Sequence, residues 1–229
     1  MLEETTLKGR IIGAALRLAG ERAWSDVTLR DIAGAAGADL VQMRHEFASK
    51  GAIVAAFLRA VDDEVLAKAP RFTPDQPPRD RIFEVVMSRL DVLRPYKAGL
   101  RSMAASHAAD PAVLRGLCAS QAWMLHAAGI GTEGVIGAAR VAGLASVYAS
   151  VFRTWLDDDE AGIARTMAAL DRRLRRGEQA LAMVDDVCRA ACRAAEILMQ
   201  PPRRSAPAGP APSGAPPTGP GPNQPSPLV

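Results

Sequence analysis

The chain has 229 residues, of which 48% are hydrophobic and only 4% aromatic, and its formal net charge is +3. Alanine, leucine and arginine favour helix and long β-branched runs are nearly absent, so the composition predicts an all-α protein. Three cysteines without a secretory signal favour a reducing cytoplasm over a disulfide framework, and no uninterrupted apolar run is long enough to predict a membrane-spanning helix.

Four helices are predicted within the first 70 residues. Residues 7–19 carry apolar side chains at helical spacing, and Gly20 is expected to end that helix. Thr28, Asp39 and Ser49 are residue types that cap helix N-termini, which predicts a helix after each of them. The last two of these helices should cover residues 40–47 and about 50–68.

The proline-dense segment PRFTPDQPPRD, which follows Ala69, predicts a boundary between two domains. Residues 1–69 would form the first domain and residues 80–199 a larger helical one. Helical patterns in the second cover about 80–94, 97–108, 112–128, 134–156, 159–176 and 178–199. Residues 201–229 hold eleven prolines and no acidic residue, which is typical of a disordered tail.

The third predicted helix, residues 40–47, has the chemistry of a DNA-reading helix. Its projection gives one apolar face, expected to contact the core, that consists of Leu40, Met43 and Phe47. On the opposite face, Val41 can touch a thymine methyl, Gln42 can bond bidentately to adenine, and His45 can meet a base edge. A short exposed second helix after a tight turn is typical of a helix-turn-helix, which reads the major groove of double-stranded DNA.

The residues around this helix give mixed evidence for contacts with DNA phosphates. Thr28, Ser49 and Lys50 stand at predicted helix N-termini, where free backbone N–H groups attract anions. Residues 1–55, however, hold seven basic and seven acidic residues, and a neutral segment is a poor electrostatic footprint for nucleic acid. A helical hairpin that only packs against the core is therefore the alternative interpretation.

The segments IIGAALRLAGERAW and TLRDIAGAAG, with the phenylalanine and lysine of FASK, resemble the N-terminal domain of the TetR family of transcriptional regulators. The resemblance implies a dimer with a small DNA-binding domain and a larger helical domain that binds a small effector, usually acting as a repressor. It also implies phosphate contacts from Thr28 and Lys50. Arg44 stands where the family usually has a tyrosine, and an arginine can serve there as a phosphate contact.

A second resemblance concerns residues 80–180. The segments AWMLHAAGIGTEGVIGAARVAGLASVY and WLDDDEAGIARTMAALDRRLRRGEQAL resemble the C-terminal region of the coenzyme Q biosynthesis accessory protein, a lipid-binding relative in fold without evident DNA recognition. Two functions therefore stay open: a regulator controlled by an apolar or lipid effector, and a lipid-binding accessory protein of ubiquinone biosynthesis with a degenerate helix-turn-helix. Candidates to line the cavity, each of which could also be plain core, are Met103, Trp123, Met124, His126, Tyr148 and Trp155.

Nothing in the sequence predicts catalysis, a metal or a cofactor. His45, His107 and His126 lack metal-ligand spacing, and the pair Cys188 and Cys192 is interpreted as two core thiols. The acidic run DDDE at 157–160 is interpreted as the start of a helix, where negative charge complements the dipole. No nucleophile–base signature or phosphate-binding glycine loop is present, so an enzyme is not expected.

A homodimer is expected because one recognition helix reads too few base pairs for useful specificity. The predicted dimer contact lies on the helices at 134–156 and 159–176. Small residues on the first of them, which would permit close approach of two helices, are Gly137, Ala138, Ala142 and Ala145.

Overall fold

Helices α1 (Leu7–Glu21), α2 (Leu29–Ala35), α3 (Leu40–Glu46) and α4 (Lys50–Lys68) open the chain in the computed structural model. The structure describes residues 5–73, 75–106, 110–159 and 162–179, and within these ranges it contains helices and no strand, as the composition predicts. The described residues belong to one compact unit, Met1–Val187. The predicted division between residues 69 and 80 stays a prediction.

The three predicted N-caps are confirmed. Thr28 Oγ1 accepts a hydrogen bond from the Asp31 backbone N–H at 3.1 Å. Asp39 Oδ1 accepts from two backbone N–H groups at 2.8 Å, and Ser49 Oγ from a third at 3.1 Å. The prediction for Gly20 is wrong, because α1 continues to Glu21.

Helix α1 extends past Gly20 because it packs closely along α6. A Cβ on Gly99 would approach the Leu16 carbonyl oxygen to 2.5 Å, so only glycine permits this contact between the two helices. Gly20 also faces Ala98 of α6, at ordinary van der Waals distance. Packing against a neighbour thus outweighs the weak helix-ending tendency of a glycine with ordinary backbone angles.

Helices α5 (Pro78–Leu93), α6 (Lys97–Ser106), α7 (Pro111–Ala127) and α8 (Gly134–Leu156) follow, and residues 164–179 form the described part of α9. Helix α9 begins later than predicted because Asp158 caps it across a turn. Asp158 Oδ2 accepts from the Thr166 backbone N–H at 2.9 Å and from the Thr166 hydroxyl at 2.8 Å. The interpretation of the acidic run as a helix start thus holds, among the described residues, for Asp158 alone, because Asp157 is the C-cap of α8. The predicted helix 178–199 beyond residue 179, the tail 201–229, His107, Cys188 and Cys192 lie outside the described residues.

Helices α4 and α7 lie side by side and run in the same direction. Gly51 lies against Asp110, a Cβ on Gly116 would lie 3.5 Å from the Leu58 side chain, and the Ser120 hydroxyl donates to Asp62 Oδ2 at 2.6 Å. Leu58 and Asp62 lie seven and eleven residues beyond Gly51. Their partners Gly116 and Ser120 lie six and ten residues beyond Asp110, so the two helices advance together. This alignment determines the long axis of the cavity described below.

Helix α8 presents an apolar face to solvent in the single chain. It is long and apolar enough to cross a membrane by length and composition alone, although only 22% of the relevant stretch is buried. Arg140 and Arg153 interrupt the apolar run in the sequence, but two arginines leave the 23-residue helix apolar on average. Ala138 and Ala142 are exposed as predicted for a dimer contact, whereas Gly137 is buried against the Thr132 backbone.

Candidate DNA-binding surface and apolar cavity

The outward face of α3 carries the residues predicted to read bases. Val41 is 65% exposed, and Gln42 and His45 are also exposed, while Met43 and Phe47 are buried as predicted. Leu40 was expected in the core and is instead 48% exposed. Leu40 is the first residue of α3. Its Cα–Cβ bond therefore tilts toward the exposed turn before the helix and away from the core. The exposed surface is therefore more apolar than predicted.

Gln42 has a structural role that limits how it can contact a base. Its Oε1 accepts from the Asp39 backbone N–H at 3.0 Å, while Asp39 caps the helix in return. Bidentate bonding to adenine needs both the oxygen and the amide N–H2 group of the side chain. With the oxygen occupied by the cap, the Nε2 donor is the part of Gln42 that remains for DNA.

Thr28, Arg44 and Ser49 are exposed near this surface, and two of them begin helices. The Thr28 hydroxyl also donates to Asp31 Oδ2 at 2.8 Å. The backbone N–H and hydroxyl of Thr28, followed by Arg22, hold the pKa of the Asp31 carboxyl below its usual range. A negative charge thus stays beside Thr28 at neutral pH, and the phosphate roles of these residues stay predictions.

Lys50 is directed inward. Its ammonium donates to the backbone oxygens of Trp24 and, at 2.7 Å, of Val27, and it lies 4.3 Å from the Trp24 ring centroid. Burial lowers the pKa of Lys50, and Asp26 partly opposes this shift. A phosphate contact would require the ammonium to leave both carbonyls, so in this structure Lys50 ties the start of α4 to the segment before α2.

Other basic residues, within and just after α1, are also engaged with protein groups. Arg10 and Arg17 donate to backbone oxygens at the end of α2, at 3.2 and 3.5 Å, and Arg22 pairs with Asp31 at 2.9 Å. These contacts satisfy carbonyls that a helix C-terminus leaves without partners. They stabilise the packing of α1 against α2, which reduces the positive charge available for phosphates.

A cavity of about 430 Å³ lies between α4, α5, α6, α7 and α8. This volume is within the range of small-molecule sites, which are mostly apolar with a few polar groups. One end carries Lys50 and Asp110, and the other carries Gln121 and Tyr148. The wall between them is apolar and includes Val54, Leu58, Leu93, Leu100, Met103, Val113, Leu117 and Phe152.

Of the six residues predicted to line a cavity, Met103 and Tyr148 do so. Met124 and Trp155 are buried in the core and do not line this cavity, while Trp123 (52% exposed) and His126 lie at the surface. The reason is helical geometry, because α7 turns Val113, Leu117 and Gln121 toward the cavity, and positions 123 and 126 project from the opposite side. Position 124 shares the cavity face but lies nearly a turn beyond its end.

A buried polar cluster adjoins the Tyr148 end of the cavity. Arg89 is fully buried and pairs with Asp62, and it donates to the Ser120 and Tyr148 hydroxyls at 3.2 Å each. The cluster connects α4, α5, α7 and α8. Burial raises the pKa of the Tyr148 hydroxyl, which keeps this group neutral at physiological pH.

Solved structures with the same architecture are TetR transcriptional regulators. One from Nitrosomonas europaea ATCC 19718 is 24% identical, covers 76% of this chain and 99% of its own, and has a TM-score of 0.60. One from Rhodococcus sp. RHA1 is 20% identical over 76% and 97%, with a TM-score of 0.58. One from Streptomyces coelicolor is 18% identical over 82% and 86%, with a TM-score of 0.55. The chain has the TetR-like fold.

No protein-family profile and no curated protein sequence matches the chain. At these identities the shared property is the TetR-like fold. The resemblance of residues 80–180 to the coenzyme Q accessory protein gains no support from these structures and stays a prediction.

Within this TetR-like fold, the buried ion pair and the polar end of the cavity were not predicted from the sequence. Arg89 occupies the apolar stripe of α5, at spacings of three to seven residues from Ile82, Val86 and Leu93, which is a detectable signal for a buried charge. Its partner Asp62 is 27 residues away along the chain. Sequence spacing does not identify such a partner, and Gln121 carried no comparable signal.

Proposed function

We propose that the chain is a DNA-binding transcriptional regulator, a homodimeric cytoplasmic repressor controlled by an apolar small molecule. The observation that carries this proposal is the exposed face of α3. Val41, Gln42 and His45 project from a capped helix whose opposite side is anchored through Met43 and Phe47. A helix of this kind after a tight turn is the part of a helix-turn-helix that enters the major groove.

The exposed apolar face of α8 supports the homodimer. Val135 is 87% exposed, and Ile136, Ala138 and Ala142 are exposed along the same helix. A continuous apolar surface of this kind is typical of an interaction site. A second copy of the chain would cover it and bring two α3 helices to one operator.

Helix α4 supports control by a molecule in the cavity. Val54 and Leu58 of α4 line the cavity, and the same helix begins at Lys50, directly after α3. A bound molecule that changes the position of α4 would change the spacing of the two recognition helices. Such coupling requires the molecule to bind the two arrangements with different affinity.

A lipid-binding accessory protein would use the same cavity but would not need the α3 surface. The structural similarity to TetR regulators does not favour this alternative. The two functions differ in one measurable property, which is selection of a DNA sequence.

Selection from randomised duplex DNA should enrich a two-half-site operator, with half-sites about 34–36 Å apart or a multiple of it. The variant Gln42→Glu retains an oxygen for the Asp39 cap and loses the Nε2 donor. This variant should weaken the free energy of operator binding by roughly 1–3 kcal/mol and relax the base preference at one position of each half-site.

Gln42→Met is the control for the added charge of Gln42→Glu, since it is neutral and also lacks the donor. Both variants should relax the same position if the donor reads a base. An unchanged preference in both would remove Gln42 from the base-reading set. If the unmodified protein enriches no DNA sequence, the regulator proposal is overturned and the accessory protein is favoured.

A further inference from the structure

Gln121 presents a buried hydrogen-bond acceptor at the end of the cavity. The residue is 1% exposed and lines the cavity. Its Nε2 donates to the Leu117 backbone oxygen at 3.2 Å, while its Oε1 has no hydrogen-bond partner among the described residues. Because Leu117 offers only an acceptor, the amide orientation is determined, and the oxygen remains for an occupant of the cavity.

The charged groups at both ends of the cavity already have partners within the protein. At one end the Lys50 ammonium donates to the backbone oxygens of Trp24 and Val27, and at the other Arg89 is paired with Asp62. An ionised carboxylate beside Gln121 would place its oxygens against the Oε1 acceptor. An ammonium there could not pair fully with Asp62, because Asp62 already accepts from Arg89 and Ser120. A charged group is costly to bury without its own partner, so this end suits a neutral donor.

The shape of the cavity suits a long molecule. Gln121 stands eleven residues beyond Asp110, the N-cap of α7, a separation of about 16 Å at a rise of about 1.5 Å per residue. The wall between them is apolar on all of the contributing helices, as Leu58, Leu100 and Phe152 illustrate.

We propose that this cavity binds an elongated neutral amphiphile, whose terminal hydroxyl or primary amide donates a hydrogen bond to Gln121 Oε1. The inference rests on the proposed function in one respect, which is that the cavity is the effector site. It adds the chemical class of the effector and the residue that selects it.

Calorimetric titration of the full chain with dodecanol, methyl undecyl ether and dodecanoate tests this inference. The alcohol and the ether are isomers, and only the alcohol has a donor. Dodecanol should bind about three- to tenfold more tightly than the ether, the range expected for one net hydrogen bond, and more tightly than dodecanoate.

The variant Gln121→Leu removes the acceptor and should bind the alcohol and the ether equally. It should unfold at no lower denaturant concentration than the unmodified protein, because it also removes an unpartnered buried oxygen. Met103→Leu is the matched cavity control, and it should change the affinity for both isomers by the same factor.

Three results would overturn the inference and leave the apolar effector site in place. The unmodified protein could bind the two isomers equally, it could bind dodecanoate more tightly than dodecanol, or Gln121→Leu could still prefer the alcohol to the ether. Failure of all three molecules to bind would overturn the inference and also the control of the protein by an apolar molecule. Selection of an operator does not depend on either result.

Discussion

Asp62→Ala should lower the free energy of unfolding by about 3–5 kcal/mol, the usual cost of leaving one member of a buried ion pair without its partner. Asp62 accepts from both Arg89 and Ser120, and Arg89 is fully buried. Removal of the carboxylate leaves the Arg89 charge, among the described residues, with the Ser120 and Tyr148 hydroxyls. Denaturant unfolding followed by circular dichroism measures the loss.

The double variant Asp62→Leu/Arg89→Met separates the ion pair from general damage to the core. Replacing both members of a buried pair with apolar residues of similar size is often neutral or stabilising. The double variant should therefore recover most of the stability lost in Asp62→Ala. A loss below about 1 kcal/mol in Asp62→Ala, as for an exposed pair, would contradict the burial of Arg89.

Ala142→Arg should dissociate the homodimer and reduce operator affinity by at least about a hundredfold. Ala142 is exposed on α8 in the single chain, so the arginine can be accommodated by the monomer. In the dimer the guanidinium would be buried without a counter-ion, at a cost of several kcal/mol, and about 1.4 kcal/mol corresponds to each tenfold change in affinity. Sedimentation equilibrium and DNA-binding titration measure the two effects.

Ala105→Arg is the matched control, because Ala105 is exposed on a different helix, α6. It introduces the same charge and should leave both the dimer and operator binding unchanged. An unmodified protein that is monomeric at micromolar concentration, or an Ala142→Arg protein that remains dimeric, would show that α8 is not the dimer contact.

Local sequence signals predicted the helices well because their causes are local. A capping side chain bonds to a backbone group two or three residues away, so Thr28, Asp39 and Ser49 identified the starts of α2, α3 and α4. Apolar spacing likewise identified α8 as residues 134–156, in agreement with the structure. Gly20 failed as a helix end because its neighbour in α6, which is distant in sequence, determines the packing there.

The site was less predictable because its contacts are long-range. Lys50 has the residue type and position of a phosphate contact, yet its ammonium bonds to backbone oxygens of Trp24 and Val27, more than twenty residues earlier. Leu40 fits the apolar side of a helical projection, but within the described part of the chain no helix covers it, and it is exposed. A projection gives the direction of a side chain and does not show whether another element lies in that direction.

The same limit applied to the cavity. Aromatic and methionine residues were reasonable candidates by type, but the helix that presents them decides whether they reach the cavity. Met103 and Tyr148 line it, whereas Trp123 projects from the far side of α7. Gln121, which supplies the unpartnered acceptor, could not be recognised before α7 was placed against α4 and α8.

The central claim is that occupancy of the cavity controls binding of operator DNA. The most direct measurement is the affinity of the unmodified protein for its selected operator, by fluorescence anisotropy, with and without saturating dodecanol. We expect the alcohol to weaken operator binding about 5- to 150-fold, the usual range of coupling between two sites, and the operator to weaken dodecanol binding by the same factor. An operator affinity that is identical in the presence and absence of bound dodecanol would contradict the account.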